Sequence, residues 1–203
     1  MDGQHHPDRR RRSEHQGGHA FDRDRSESYD RRAAALLRPF YRQVAAEIAA
    51  TAPAGGHVAD IGTGPGRMLH ELARRRGDLR LSGVDSSPDM VAVAATAADR
   101  AGLAQRISLH TADVAALPFP DGGLDVASST LSQHEWPRLE AAAVELARVL
   151  RPGGLLLVYD FRFLPVRPAL AAYGRAPFTV QRSRLRLPWH PAALFTRLTL
   201  RRR

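Results

Sequence analysis

Three glycines separated by single residues, Gly62, Gly64 and Gly66, follow a short apolar run and precede a stretch with helical periodicity. A strand that turns through glycines into a helix brings backbone N–H groups and the positive end of the helix dipole close to a ligand, because glycine has no Cβ to keep the ligand away. The stretch ADIGTGPGRML therefore predicts a ligand-binding loop.

The spacing of these glycines disfavours a pyrophosphate as the ligand. Dinucleotide sites use G-x-G-x-x-G, whereas Arg67 here occupies the position of the last glycine and Pro65 has no N–H to donate. Asp60 lies two residues before the first glycine, where its carboxylate either accepts from N–H groups of the turn or contacts the ligand.

The elements that must position this loop alternate along the chain. Apolar runs at HVADI, LRLSGVD, RISLH, LDVASS and LLLVYD predict buried strands, and RMLHELARRR, PDMVAVAATAADRAG and PRLEAAAVELARVL predict helices between them. Strands that alternate with helices imply a parallel sheet with helices on both faces. The link TADVAALPFPDGG is too rich in Pro and Gly for a full helix, so a loop or one turn is expected there.

The C-terminal part departs from this alternation. RFLPVRPALAAYGRAP is short and rich in proline and predicts at most a stub of helix. Two later runs, in which Leu or Val alternates with Arg or Thr, predict an antiparallel β-hairpin at one edge of the sheet.

Length and composition predict one α/β domain with a polar tail. The chain has 203 residues, 43% of them hydrophobic, which suffices for one domain with its own core. Residues 1–28 mix His, Arg, Gly, Asp and Ser and predict a disordered tail. We expect a domain over 29–203, divided into a leading helix or lid (29–56), a ligand-binding core (57–160) and the edge hairpin (161–203).

Several classes of site are disfavoured by composition. The chain has no cysteine, so disulfides and thiolate metal ligands are excluded, and the histidines show no spacing typical of a metal site. No signal peptide and no run of 18 apolar residues is present, so a cytoplasmic protein without a membrane partner is expected.

The excess positive charge lies at the C-terminal end. The chain contains no lysine; residues 1–32 hold eight Arg against seven acids, 33–160 hold twelve against fourteen, and 161–203 hold ten against none. On alternating hairpin positions these arginines form a solvated sheet face, or dock an anionic substrate or RNA. No aromatic residues are interleaved for stacking on bases, so nucleic acid is not favoured.

The acidic-x-Gly-x-Gly-x-Gly arrangement resembles motif I of the class I S-adenosylmethionine-dependent methyltransferases. SGVDSSPDM, HTADVAALPFPDGGLDVASST and ELARVLRPGGLLLVYD resemble the later motifs in order and spacing, and the later part resembles the ubiquinone/menaquinone-biosynthesis-like branch. The resemblance covers roughly residues 57–160. It implies a Rossmann-like three-layer α/β/α fold with a seven-stranded, mostly parallel sheet and an antiparallel C-terminal hairpin, and S-adenosylmethionine as cofactor.

The resemblance also assigns roles to residues. Asp85 would accept from both ribose hydroxyls, its alternative being to cap the following helix; Asp113 would accept from the adenine amino group, and Val114 would offer its backbone. Met90 would pack on adenine or in the core. The complete set of candidate cofactor residues is Asp60, Gly62, Thr63, Gly64, Gly66, Asp85, Ser86, Met90, Asp113, Val114, Ser128 and Ser129, the two serines ending the fourth strand beside the sulfonium.

Methyl transfer from a sulfonium is an in-line displacement, and an acceptor that loses a proton needs a base. His134 follows the fourth predicted strand and has a side chain whose intrinsic pKa suits a general base near neutral pH; a helix-capping or solvated histidine is the alternative. Tyr29 and Tyr41 of the leading helix are candidates for substrate contact or for packing.

These features predict a methyltransferase that acts on a small molecule through an oxygen, nitrogen or carbon nucleophile. The absence of an Asn-Pro-Pro-aromatic signature at SSTL argues against methylation of exocyclic amines in DNA. The alternatives are an RNA or protein methyltransferase that docks through the basic end, and a domain that binds S-adenosylmethionine without catalysis.

Overall fold

The computed structural model describes residues 37–187 and 193–203. The chain divides into two compact units, residues 1–38 and residues 39–203. Of the first unit only residues 37 and 38 are described, and both are helical. The predicted tail over 1–28 and the predicted substrate residue Tyr29 lie outside the described residues.

The second unit opens with helix α1 (39–51) and then alternates strands and helices. The later elements are β1 (His57–Ile61), α2 (Arg67–Arg75), β2 (Arg80–Asp85), α3 (Pro88–Arg100), β3 (Ile107–Thr111), β4 (Leu124–Thr130), a 3₁₀ turn (Gln133–Glu135), α4 (Leu139–Val149), β5 (Leu150–Phe161), α5 (Arg167–Arg175), β6 (Phe178–Leu185) and β7 (Phe195–Arg202). All five apolar runs of the first part are strands, as predicted. None of the helices in the described ranges is long and apolar enough to cross a bilayer.

Within the described residues seven strands form one sheet in the order β3-β2-β1-β4-β5-β7-β6. The strands from β3 to β5 pair in parallel, whereas β7 pairs antiparallel with both β5 and β6. The predicted fold class, a mostly parallel sheet with an antiparallel C-terminal hairpin, is therefore confirmed. The strand order reverses direction between β1 and β4, and the carboxyl ends of strands at such a point flank a crevice.

The sequence predicted less than a full helix in two connections. Residues 112–123, between β3 and β4, form turns without a helix, as the proline and glycine content predicts. The prediction of a helical stub before the hairpin is wrong, because α5 is nine residues long. Its proline, Pro168, occupies the first turn, where a missing N–H breaks no helical hydrogen bond.

Helices cover both faces of the sheet. On one face, α4 and α5 bury Leu146 and Tyr173 against β4, β5 and β7. On the other face the hydroxyl of the buried Tyr159 donates to Glu47 of α1 at 3.0 Å, and Arg197 of β7 forms an ion pair with the same carboxylate at 2.9 Å. Since a buried hydroxyl needs a partner, this contact fixes α1 on the sheet.

Candidate functional site

The three glycines of the loop between β1 and α2 all adopt left-handed backbone conformations. The φ angles of Gly62, Gly64 and Gly66 are 71°, 50° and 76°, values that L-residues with a Cβ adopt only at a cost. A Cβ on Gly62 would lie 2.0 Å from the Ser132 hydroxyl, whereas a Cβ on Gly64 would meet no atom within 4 Å. A side chain at position 62 would therefore clash with Ser132, whereas the backbone at Gly64 is open to a ligand.

The first N–H groups of this loop are already hydrogen-bonded within the protein. Gly62 and Thr63 donate to the Val84 carbonyl at 2.8 and 2.9 Å, and Gly64 donates to the Asp85 carboxylate at 2.8 Å. A phosphate-binding loop keeps such donors for its ligand. The loop therefore offers close approach to its backbone rather than a row of anion-binding N–H groups, which agrees with the sequence argument against a pyrophosphate.

A cavity of about 540 Å³, here called the central cavity, opens at the carboxyl ends of β1, β2 and β4. Its volume lies in the range of small-molecule sites. It brings together nine of the predicted site residues: Tyr41, Gly62, Thr63, Gly64, Asp85, Ser86, Met90, Asp113 and Val114. Met90 is 38% exposed at its wall and is not a core residue.

Asp85 lies at the end of β2 on the wall of the central cavity. One carboxylate oxygen accepts from Gly64 N–H, and the other accepts from Ser87 N–H at 3.0 Å. The N-cap of α3 is Ser87 rather than Asp85. Each oxygen has a second lone pair, so the carboxylate can still accept from hydroxyl groups of a ligand.

Asp113, which follows β3, also lies on this wall with its carboxylate engaged. It accepts from Ala115 N–H at 2.8 Å and from the Arg138 guanidinium at 2.8 Å. These two bonds, the backbone bond first, hold the pKa of the carboxyl below its usual value. Asp113 is therefore an ionised acceptor at neutral pH.

The Thr63 hydroxyl is buried on the same wall. It lies close enough to the Asp60 carboxylate to lower the pKa of that group, although the two do not meet full hydrogen-bond geometry. With two carboxylates, apolar side chains at Met90 and Val114, and an open approach at Gly64, the wall fits the polar and apolar parts of S-adenosylmethionine.

Four predicted residues lie behind the wall rather than on it: Asp60, Gly66, Ser128 and Ser129. Asp60 is 2% exposed, and its carboxylate accepts from the Ser128 hydroxyl at 2.7 Å instead of from the loop N–H groups. Burial raises the pKa of Asp60 to about 7, although the bond from Ser128 opposes the shift. Ser129 is buried against the hydroxyl of Ser132 at 3.1 Å, and Gly66 caps α2.

The strand β4 continues one residue beyond Ser129, and the residues after its end form the adjoining wall of the central cavity. These residues, which the sequence did not single out as cofactor contacts, are Thr130, Leu131, Ser132, Glu135 and Trp136. Leu131 has a φ of 58°, an uncommon conformation for a branched side chain. A glycine or asparagine there would have signalled the turn, but leucine gives no such signal.

His134 does not line the central cavity. It lines a second cavity of about 220 Å³, here called the lateral cavity, which lies between α5 and the ends of β5 and β7 and whose walls include Gln133, His134, Val158, Asp160, Thr196 and Leu198. The ring Nδ1 lies 2.9 and 3.0 Å from the two carboxylate oxygens of Asp160, and the backbone N–H of His134 donates to the same carboxylate at 3.2 Å. No spacing or motif in the sequence indicated that His134 and Asp160 would pair.

Comparison with known proteins agrees with the fold. Residues 58–154 match the family model described as a methyltransferase domain. The chain is 36% identical over 104 residues to the demethylmenaquinone methyltransferase of Thermus thermophilus, covering 51% of this chain and 46% of that protein. It is 34% identical over 119 residues to the 27-O-demethylrifamycin SV methyltransferase of Amycolatopsis mediterranei, covering 59% and 43%.

A solved structure of a SAM-dependent methyltransferase from Aquifex aeolicus superposes with a TM-score of 0.68 at 19% identity, covering 81% of this chain and 91% of that one. That likeness concerns the fold alone. The chain spans about half the length of the curated relatives it matches.

Residues 58–154 thus match a methyltransferase domain, on a fold shared with a SAM-dependent methyltransferase, as the sequence motifs predicted. The relatives of this chain include the ubiquinone/menaquinone biosynthesis C-methyltransferase of Paracoccus denitrificans, to which it is 31% identical over 126 residues, covering 62% of this chain and 50% of that protein.

Proposed function

We propose that the protein transfers a methyl group from S-adenosylmethionine to a small-molecule acceptor. The observation that carries this proposal is the central cavity at the switch point of the sheet, where the glycine loop, Asp85 and Asp113 meet around space for a ligand. When bound there, S-adenosylmethionine supplies an electrophilic methyl group. The chain itself has to bind the cofactor, orient the acceptor and remove a proton from it.

The proposed roles of the wall residues follow from the hydrogen-bonding groups and surfaces that they leave open to the central cavity. Asp85 presents the remaining lone pairs of two oxygens that are held in place by Gly64 and Ser87, and so accepts from the two ribose hydroxyls. Asp113 accepts from the adenine amino group, and Met90 packs on the base. Gly64 lets the backbone approach the amino-acid end.

His134 is the proposed general base. Because the Asp160 carboxylate only accepts, the ring carries its proton on Nδ1 and presents the Nε2 lone pair. The side chain of His134 is 30% exposed and that of Asp160 13%, so the pair is reachable from solvent through the lateral cavity. An acceptor with a hydroxyl at Nε2 would lose its proton to the ring.

For the whole chain we propose the organisation expected from the sequence, with a tail over 1–28 followed by one methyltransferase domain over 29–203. A small-molecule acceptor is favoured over RNA or protein because the two enzymes with curated names reported above are named for small molecules.

Calorimetric titration of the purified full chain with S-adenosylmethionine, and separately with NADH, tests the cofactor assignment. We expect binding of S-adenosylmethionine alone. Binding of NADH instead would overturn the assignment. Binding of S-adenosylmethionine without methyl transfer to any compound of an acceptor panel would favour the domain that binds without catalysis.

A further inference from the structure

The lateral cavity is a separate space with a mostly apolar wall. It shares no lining residue with the central cavity, and the segment after β4 divides the two, with Thr130 to Ser132 on one side and Gln133 and His134 on the other. Valine, leucine, proline and phenylalanine side chains make up most of its remaining wall. Such a wall favours the apolar body of a ligand.

The polar end of this cavity is the His134 ring. Asp160 fixes the ring through Nδ1 and through the backbone N–H. The nearest acidic oxygen to Nε2 belongs to Glu135 at 3.9 Å, which is beyond hydrogen-bond distance. Nε2 is therefore available to accept a hydrogen bond from a hydroxyl group.

Two arginines lie on the same sheet face as the floor of the lateral cavity. Asp160 pairs with Thr196, which pairs with Arg184; Val158 pairs with Leu198, which pairs with Arg182. Directly paired residues of antiparallel strands point to the same face, and Val158, Asp160, Thr196 and Leu198 all line the cavity. The rows thus run from the cavity floor to arginines on the edge strand β6.

The charge of these arginines is not compensated within the described residues. Arg182 and Arg184 are exposed, and neither forms an ion pair with an acidic side chain of the described chain. Two strand spacings place Arg184 roughly 10 Å from Asp160 along the sheet. An anionic group at the arginines and a hydroxyl at His134 would therefore lie on opposite ends of one small apolar ligand.

We infer that the lateral cavity binds an apolar hydroxy acid, whose carboxylate pairs with Arg182 and Arg184 and whose hydroxyl bonds to Nε2 of His134. This inference goes beyond the proposed function and does not rest on it. The hydroxy acid occupies a space that the segment after β4 divides from the central cavity, so its binding is a property separate from methyl transfer.

The probe for this inference is 6-hydroxy-2-naphthoate, a rigid fluorescent compound with the hydroxyl and the carboxylate at opposite ends. Its affinity for the full chain is compared with that of 2-naphthol, which lacks the carboxylate, and of 2-naphthoate, which lacks the hydroxyl. We expect each to bind about 10-fold more weakly, since each loses one charge-assisted or polar contact. The Arg182→Gln/Arg184→Gln variant should weaken hydroxynaphthoate by about the same factor and leave 2-naphthol unchanged.

The matched control is Arg74→Gln/Arg100→Gln, which removes two exposed arginines from other elements. Equal loss of hydroxynaphthoate binding in this control, unchanged binding in the β6 variant, or no binding to the wild type would each overturn the inference. S-adenosylmethionine titrations of the same variants separate the two proposals. If the wild type does not bind S-adenosylmethionine, the methyltransferase proposal is refuted. If the wild type binds hydroxynaphthoate no more tightly than 2-naphthol or 2-naphthoate, the lateral site is refuted.

Discussion

Asp60 of β1 and Ser128 of β4 are paired in register on adjacent parallel strands and joined by a hydrogen bond of 2.7 Å in the interior of the sheet. Among the residues that the structure describes, the carboxylate has no cationic partner, and the side chain of Thr130 adds a longer contact at 3.5 Å. Burial raises the pKa of Asp60 to about 7, and the negative charge of Asp85 also raises it. Folding is thereby coupled to protonation of Asp60.

The first prediction concerns the stability of the protein as a function of pH. The unfolded chain releases the Asp60 proton near pH 3.8, while the folded protein keeps it up to about pH 7. The contribution of this group to the free energy of unfolding therefore falls as pH rises from about 4 to about 7 and levels off above, by an amount on the order of 4 kcal/mol. Asp60→Asn should flatten this dependence in urea unfolding curves measured over that window. Asp99→Asn, at an exposed site of α3, is the control; a slope unaltered by Asp60→Asn would contradict the burial argument.

The second prediction concerns cofactor affinity. Asp85→Ala should weaken S-adenosylmethionine binding by about 1–3 kcal/mol, because the ribose hydroxyls lose their acceptor in a desolvated site. The variant also frees the Gly64 and Ser87 N–H groups, so thermal melting of the ligand-free protein has to be recorded beside the titration. Asp89→Ala, four residues further on and off the cavity wall, should bind as the wild type does. Equal affinity for Asp85→Ala and wild type would remove Asp85 from the cofactor site.

The third prediction separates catalysis from binding. His134→Ala should slow methyl transfer to an acceptor found by screening by about 10²-fold or more. It should leave S-adenosylmethionine affinity unchanged, since His134 lies on the lateral cavity alone. His110→Ala, on β3 and on neither of these two cavities, serves as the control in the same rate assay. An unchanged rate in His134→Ala would return that histidine to a structural role.

The fourth prediction contrasts two glycines of one loop. Gly62→Ala should destabilise the fold by about 2–5 kcal/mol, because it combines left-handed strain with overpacking against Ser132. Gly64→Ala has the strain without the clash, so its unfolding should shift by only about 1–2 kcal/mol. Gly64 lines the central cavity and its Cβ would meet no protein atom within 4 Å, so we expect the added methyl group to obstruct the ligand and S-adenosylmethionine binding to be lost. The pair is compared by denaturant unfolding and calorimetry, and retained cofactor affinity in Gly64→Ala would place the ligand elsewhere.

The sequence predicted the sheet well because its strands are buried on both faces and therefore appear as short, nearly continuous apolar runs. For the same reason the sequence did not show whether Ser128 and Ser129 line the cavity or lie behind its wall. Neighbouring residues of a strand point to opposite faces, but here helices cover both faces, so both serines are fully buried behind the cavity wall. The alternation of side chains along a strand does not by itself distinguish residues that line a cavity from residues buried behind its wall.

Two other features depended on tertiary structure. Pro168 indicated a broken helix, yet at the first turn of α5 proline is compatible with a complete one. The direction of His134 is set by the 3₁₀ turn Gln133–Glu135 and by Asp160, 26 residues later in the chain. Spacing near β4 identified the histidine as chemically useful but carried no information on which of two cavities it faces.

The position of β7 between β5 and β6 has a consequence for the order of synthesis. On the ribosome β6 emerges before β7, and β7 is the one strand of residues 37–187 and 193–203 with which it pairs, so β6 lacks that partner until β7 has followed. Until then the hydrogen-bonding edge of β5 is also uncovered, and an open strand edge of a nascent chain is prone to pair with another chain. The nascent sheet therefore closes on this side in one late event, in which the two hairpin strands dock together.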